Sequence, residues 1–333
     1  MEYDCYLRKI AGALAPSTGC TEPSAIALNA ATARRHARGE VCRITARLDA
    51  YLFKNAMGVG IPGADERGVS LCVALGVTAG DSDAGMNALH TVTPEQLAQA
   101  KALRSRITVE IAPEAQGLYI ETILETAEDA VRVVTRGEHD HIALVEHAPF
   151  AGRCEAEDCP CCEETQGSLQ DFIDFAESVP LDRLTFLRAA LEMNRRVYAE
   201  GTARQLERHV LPQMLLNDSS LYAMAKRRAG VASYARMSGI PLPVMTATGS
   251  GNQGLTLFLT VDAAADYFRA GEERLLRSLA LANLVNIYVK RYIGPLSSVC
   301  ACGVASGLGA CLGIAYLLGG GEGQMLQAAR NVL

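Results

Sequence analysis

Eleven cysteines in 333 residues are the side chains best able to do chemistry here, and their spacing sorts them. Cys300 and Cys302 form a C-x-C at the head of an apolar, small-residue run, SSVCACGVASGLGACLGIAYLLGGG, over 297–321. Two positions apart, they point to different sides of a regular helix. At a helix start one leaves the loop and one the first turn, so both can face a common point. A thiolate there also gains from the positive end of the helix. Cys311 shares a face with Cys300 but lies about 16 Å further along the axis, so it reads as core and Cys300 or Cys302 as the better ligand candidate. Cys20 stands in Ser17-Thr18-Gly19-Cys20-Thr21-Glu22-Pro23, just ahead of a helix with Glu and Pro in its first turn. That setting favours a thiolate; a packed loop cysteine is the alternative. Cys154, Cys159, Cys161 and Cys162 crowd one acidic stretch, where they are either a metal site without paired CxxC knuckles or an exposed thiol patch.

Two glycine-rich segments could hold an anion. FKNAMGVGIPGA, over 53–64, has glycines at 58, 60 and 63 that let backbone N–H groups approach closely, with Lys54 and Asn55 adding a charge and a polar side chain. It matches neither a Walker loop nor GxGxxG, and a plain glycine-rich turn is the alternative. TATGSGNQGLT, over 246–256, offers Thr248, Gly249, Ser250, Gly251, Asn252 and Gln253 just before a helix, a shape suited to a carboxylate or phosphate. No HExxH or GxSxG spacing is present.

The elements that must position these groups divide in two. Met1–Ala13 is amphipathic and helical; Ser24–Gly39 is an Ala-rich helix ending at glycine. Val41–Tyr51 alternates like a strand, Val69–Ala79 and Pro94–Arg104 read as helices, and Ile107–Ile111, Leu118–Glu125, Ala130–Thr135 and His141–His147 read as strands. After a break over 148–167 that carries Pro149, Gly152 and Pro160, nearly everything is helical. The expected fold is an α+β N-terminal domain with a small mixed sheet, followed by a mostly α-helical C-terminal domain. The expected boundaries are 1–165, carrying Cys20 and the 53–63 loop, and 166–333, carrying the GSGNQG loop and the C-x-C helix.

Composition narrows the class. Hydrophobic residues make up 49% and charged residues 20%, a globular balance. A net charge of −6 gives no reason to expect nucleic acid or an anionic membrane surface. The 297–321 run is too rich in glycine, and too isolated, to read as a membrane span. Cysteines without a secretory leader point to a cytoplasmic protein with reduced thiols. A homodimer is an open alternative for its assembly.

Four motifs in order, GCTEP at 19–23, FKNAMGVGIPG at 53–63, ATGSGNQG at 247–254 and CACGVASGLGA at 300–310, resemble the L-cysteine desulfidase family, itself related to the iron–sulfur L-serine dehydratases. The resemblance runs over essentially the whole chain and is weakest at Cys154–Cys162. It implies a lyase with an oxygen-sensitive [4Fe-4S] cluster held by three cysteines, one iron staying open as a Lewis acid. Cys20 matches the N-terminal ligand, and Cys300 or Cys302 the second. The third falls in a later segment that is expected beyond Leu333, since family members are longer by roughly a quarter; on that reading this chain lacks a ligand. The small amino-acid substrate would lose its α-proton to a base, with Lys54 as candidate and Asn55 orienting, and then its β-sulfide, giving pyruvate and ammonia. The ATGSGNQG loop would fix the carboxylate. A lysine base needs its pKa lowered from about 10.4 by burial or nearby positive charge.

Rival readings keep the chain soluble but change the chemistry. The same cluster could take serine. Pyridoxal phosphate on Lys226 would use the GSGNQG loop for its phosphate, although Lys226 lies in a charged KRRAG stretch. A non-catalytic metal- or sulfur-binding protein would use Cys154–Cys162.

Overall fold

The computed structural model describes residues 3–19, 21–61, 64, 66–89, 91–115, 117–150, 167–294 and 296–332. The elements of the first half are α1 (Tyr3–Ala13), β1 (Pro16–Thr18), α2 (Thr21–His36), β2 (Val41–Leu48), α3 (Ala50–Met57), α4 (Val69–Ala79), α5 (Pro94–Leu103), β3 (Ile107–Ile111), β4 (Tyr119–Thr126), β5 (Ala130–Arg136) and β6 (Ile142–His147). The second half has α6 (Leu169–Ser178), α7 (Thr185–Ala203), α8 (Glu207–Val210), α9 (Leu221–Met237), β7 (Pro243–Met245), α10 (Gly251–Tyr267), α11 (Glu272–Ile293), α12 (Gly307–Leu317) and α13 (Glu322–Val332). The expected class holds: a small mixed sheet in the N-terminal half, then mostly helices. Among the described residues no helix is long and apolar enough to cross a membrane.

The chain forms two compact units. One comprises Gly19–Cys162 with Met237–Pro241. Its five-stranded sheet runs β3-β2-β4-β5-β6, with β2 and β3 parallel and the other pairs antiparallel. The parallel pair needs a crossover, which α3, α4 and α5 supply. The alanines of α2 explain its packing. A Cβ on Gly76 would lie 2.4 Å from Ala27 O, and one on Gly80 2.6 Å from Ala31 Cβ, so α2 and α4 touch backbone to backbone. Asn29 of α2 is fully buried and ties that helix to the sheet, its amide donating to Thr135 Oγ1 at 2.9 Å. On the sheet, buried Glu121 accepts from Arg47 at 2.8 Å.

The other unit comprises Met1–Thr18, Glu163–Arg236 and Leu242–Leu333. The first eighteen residues therefore group with the helices. The reason is a short antiparallel ladder: β1 pairs with β7, Pro16 opposite Met245, and Ala15 N–H donates to Thr246 Oγ1 at 3.2 Å. Nothing local in PST marks a strand; its partner lies far away in sequence. α11 is buried on every side from Ser278 to Asn286. α12 lies directly on it, because a Cβ on Gly309 would sit 2.6 Å from Ala282 O and one on Gly313 3.0 Å from Ser278 O. Two of the glycines in the small-residue run are thus spent on helix contact.

Two elements differ from expectation. The β2 strand stops at Leu48, because Asp49 accepts from Tyr51 N and Leu52 N and caps α3. Lys54 and Asn55 accordingly sit on a helix rather than in a glycine-rich loop. The helix expected in the 297–321 run begins as a π-helical turn, Cys302–Ser306, before α12.

Candidate functional site

The helical unit gathers the richer group. Its centre is the turn between β7 and α10. Ala247 and Ser250 exchange backbone hydrogen bonds, both at 3.1 Å, while Thr248 and Gly249 have φ of +47° and +79°. Two successive positive-φ residues make a tight hairpin-type turn. Glycine adopts that shape freely; a β-branched threonine is strained there, by about 1–3 kcal/mol. Three side chains hold it. Thr248 Oγ1 donates to Gln253 Oε1 at 2.9 Å and accepts from Asn286 Nδ2 at 3.4 Å. Asn286 Oδ1 in turn accepts from Ser306 at 3.0 Å. This line joins the GSGNQG segment, α11 and the π-helical turn. Gln253, Asn286 and Ser306 are buried. Gly254 serves packing: its Cβ would lie 2.0 Å from Met245 O, and the Asn194 amide holds the backbone of Met245, accepting from its N–H at 2.8 Å and donating to its carbonyl at 3.2 Å.

Beside this turn stands Arg236, at the end of α9. It is 4% exposed, and its Nη1 donates to Asn252 Oδ1 at 3.2 Å. Sequence reasoning missed it. The signal was its register: Ala232, Ala235 and Arg236 share the buried side of α9, where an arginine is out of place.

The C-x-C lies on the same unit. Cys300 is exposed and Cys302 is partly buried. The Cys302 thiol is pushed up, first by its hydrogen bond to Cys300 and then by burial, while the Arg236 charge works the other way. Cys302 therefore lies within hydrogen-bonding reach of Cys300, and the guanidinium is near enough to act on it. The turn is held by Gly303 N and Val304 N donating to Cys300 O at 3.0 and 3.4 Å. A Cβ on Gly303 would meet nothing within 4 Å, so this glycine, unlike Gly309 and Gly313, does not serve helix contact. Single-turn π-helices concentrate at functional sites. Cys311 is half-buried on α12, and burial raises its pKa.

In the sheet unit, Asn55 donates to Glu22 Oε1 at 3.1 Å and Thr21 to Glu22 Oε2 at 3.0 Å, which fixes a carboxylate two positions after Cys20. Lys54 is exposed on α3, its Nζ 5.9 Å from the Tyr51 ring centroid. The anion-cradle reading of 53–64 finds no support at Gly60, whose N–H is used on Met237 O at 2.8 Å. Lys226, the lysine of the pyridoxal phosphate reading, is exposed on α9 and lies over the Tyr222 ring at 5.5 Å. Cys20, Gly63 and the Cys154–Cys162 group lie outside the described residues.

The donor chemistry at Cys300 and Cys302 fits an iron–sulfur cluster, whose ligands are soft thiolates. Among the described residues no group of three or more His, Cys, Asp or Glu side chains could hold a metal ion.

Comparison with known proteins is consistent across the chain. Residues 72–333 match the family model of the serine dehydratase alpha chain. A UPF0597 protein of Clostridium tetani is 33% identical over 326 residues, covering 96% of this chain and 77% of the relative. A UPF0597 protein of Clostridium botulinum is 34% identical over 331 residues, covering 95% and 77%. One from Aeromonas hydrophila is 35% identical over 332 residues, covering 96% and 75%. No solved structure matches.

Proposed function

From the premise that the chain belongs to the serine dehydratase alpha chain family, we propose that it is a lyase that removes the β-substituent of a small L-amino acid. L-Cysteine is the substrate on this reading, giving sulfide, pyruvate and ammonia; L-serine, losing water, is the alternative that the family name favours. The observation that carries the reading is the meeting, on one unit, of a thiol pair, a buried guanidinium and the N-terminus of α10.

Cys20, with Cys300 or Cys302, supplies the thiolates that would hold a [4Fe-4S] cluster in this family of generally iron–sulfur enzymes. When bound, a cluster with one open iron supplies a Lewis acid. The remaining work belongs to the chain. The Thr248–Gln253 segment orients the substrate at the start of α10, held in shape by Asn286 and Ser306. Lys54 removes the α-proton. The hydrogen bond from Asn55 to Glu22 makes that carboxylate the second candidate base.

The test is anaerobic reconstitution with iron and sulfide, then assay of sulfide and pyruvate from L-cysteine and of pyruvate from L-serine. Turnover of cysteine at the higher kcat/KM supports the desulfidase reading; serine alone supports the dehydratase. Iron incorporation without turnover of either sinks the lyase.

A further inference from the structure

Arg236 has more donors than the chain uses. Nη1 is bonded to Asn252, but Nε and Nη2 are buried without a hydrogen-bond partner. Among the described residues no carboxylate forms an ion pair with it. A buried charge is costly unless it is paired, and each unmet donor adds to that cost. The position of the two unmet donors is informative. Nε and Nη2 lie on one edge of the guanidinium plane, the edge that can offer two parallel N–H groups to the two oxygens of a carboxylate. Arg195 in this same unit turns that edge to Asp262. Asn252 occupies the remaining nitrogen and so fixes which edge faces outward from the pair.

A second observation points to the same ligand. The guanidinium lies against the first residue of α10: a Cβ on Gly251 would come 2.4 Å from Arg236 Nε and 2.6 Å from Cζ. The N-cap of this 17-residue helix, Ser250, makes no side-chain capping bond. The first-turn N–H groups and the helix dipole therefore add to the positive field around an arginine that no carboxylate among the described residues pairs with.

We propose that Arg236, together with the first turn of α10, is the receptor for the α-carboxylate of the amino-acid substrate, with Asn252 as its positioning residue. The proposal rests on the lyase reading above and gives its substrate a handle: a free α-carboxylate. The side chains of Thr248 and Gln253, bonded to one another, then shape the turn rather than bind the substrate.

The experiment measures binding by calorimetry on the full chain, with L-serine and its decarboxylated counterpart ethanolamine as probes, and steady-state kinetics on the reconstituted protein. Wild type is expected to bind L-serine and not ethanolamine. Arg236→Gln should weaken L-serine binding roughly 100-fold, two decades of affinity from one lost charge-assisted fork. Arg236→Lys should recover part of that loss, since a point charge replaces the fork. Asn252→Ala, which leaves the charge in place, should weaken binding by about 10-fold and guards against an Arg236→Gln chain that does not fold. In kinetics the loss should fall on KM more than on kcat, with iron content unchanged. Unchanged L-serine affinity in Arg236→Gln with iron intact overturns the proposal, as does wild-type binding of ethanolamine as tight as L-serine, or tighter binding of inorganic phosphate. The two readings separate cleanly. Arg236-dependent L-serine binding without turnover ends the lyase reading and keeps the carboxylate site; turnover with a KM indifferent to Arg236→Gln does the reverse.

Discussion

The Ser306 hydroxyl, fully buried in the π-helical turn, donates to Asn286 Oδ1 at 3.0 Å. The same Asn286 side chain donates onward to Thr248, which is the strained residue of the turn before α10. Removing the middle member takes away the acceptor of the buried Ser306 hydroxyl and one of the two partners of Thr248, which keeps its bond to Gln253. Asn286→Ala should cost about 2–4 kcal/mol, and Ser306→Ala about 1–2 kcal/mol, by the penalty for unmet buried groups. Urea unfolding of both variants, with an unchanged slope against denaturant, checks the ranking. Equal losses would mean the line is not continuous.

The glycines of 251–313 divide by what surrounds them. Gly254→Ala drives a methyl to 2.0 Å from Met245 O, and Gly309→Ala to 2.6 Å from Ala282 O. Both neighbours are backbone and cannot swing away, so each variant should lose about 3 kcal/mol or more. Gly303→Ala meets nothing within 4 Å and is exposed, and should stay within about 0.5 kcal/mol of wild type. Thermal melts of the three chains decide it. A destabilised Gly303→Ala would show that the π-helical turn needs glycine for its backbone shape.

Legibility in the sequence follows the range of the forces involved. The strands β3 to β6 were readable because alternation and turn residues are local signals. The Ala-rich α2 and the small-residue α12 both pack backbone against backbone, at Gly76 and at Gly309 and Gly313. The turn at 246–254 was readable from glycine and polar density, but not the use of its side chains, since Asn286 and Ser306 come from far along the chain. The end of β2 was misplaced because Asp49 reads as one more polar residue in an alternating strand until its carboxylate is seen to cap α3. The π-helical turn has no periodicity of its own in a run where nearly every residue is small and apolar.

Tyr119 gives a pH signature for the sheet unit. Its hydroxyl is pushed up to about 12, chiefly by burial and then by the nearby Glu121 carboxylate, with Arg47 and Arg136 opposing. In the unfolded chain a tyrosine ionises near 10. The folded state thus holds the proton more tightly. Its contribution to stability is present in full below pH ~10 and falls away as pH rises from about 10 towards about 12. Tyr119→Phe should flatten stability against pH in that window and leave the slope of stability against pH unchanged at pH 7–9. Denaturant midpoints across the range, with ultraviolet titration of phenolate, are the measurements. An equally steep decline in the variant would assign the effect to another group.

Iron binding separates the two cysteine sets. If the thiolates that hold a cluster include Cys20 and the C-x-C, then Cys20→Ser should lower iron and acid-labile sulfide after anaerobic reconstitution by at least about half, since a site with one thiolate fewer binds iron–sulfur weakly. Cys300→Ser and Cys302→Ser answer which member of the pair is the ligand. Cys302 lies within hydrogen-bonding reach of Cys300, so loss of the true ligand should abolish the visible absorbance, and loss of its neighbour should shift it, because hydrogen bonds to the coordinating sulfur tune the cluster. Replacing Cys154, Cys159, Cys161 and Cys162 together by serine should leave iron content unaltered. Iron that follows those four cysteines and ignores Cys20 would transfer the metal chemistry to the acidic segment and remove the thiol pair from the catalytic reading, while Arg236-dependent carboxylate binding would stand or fall on its own measurement.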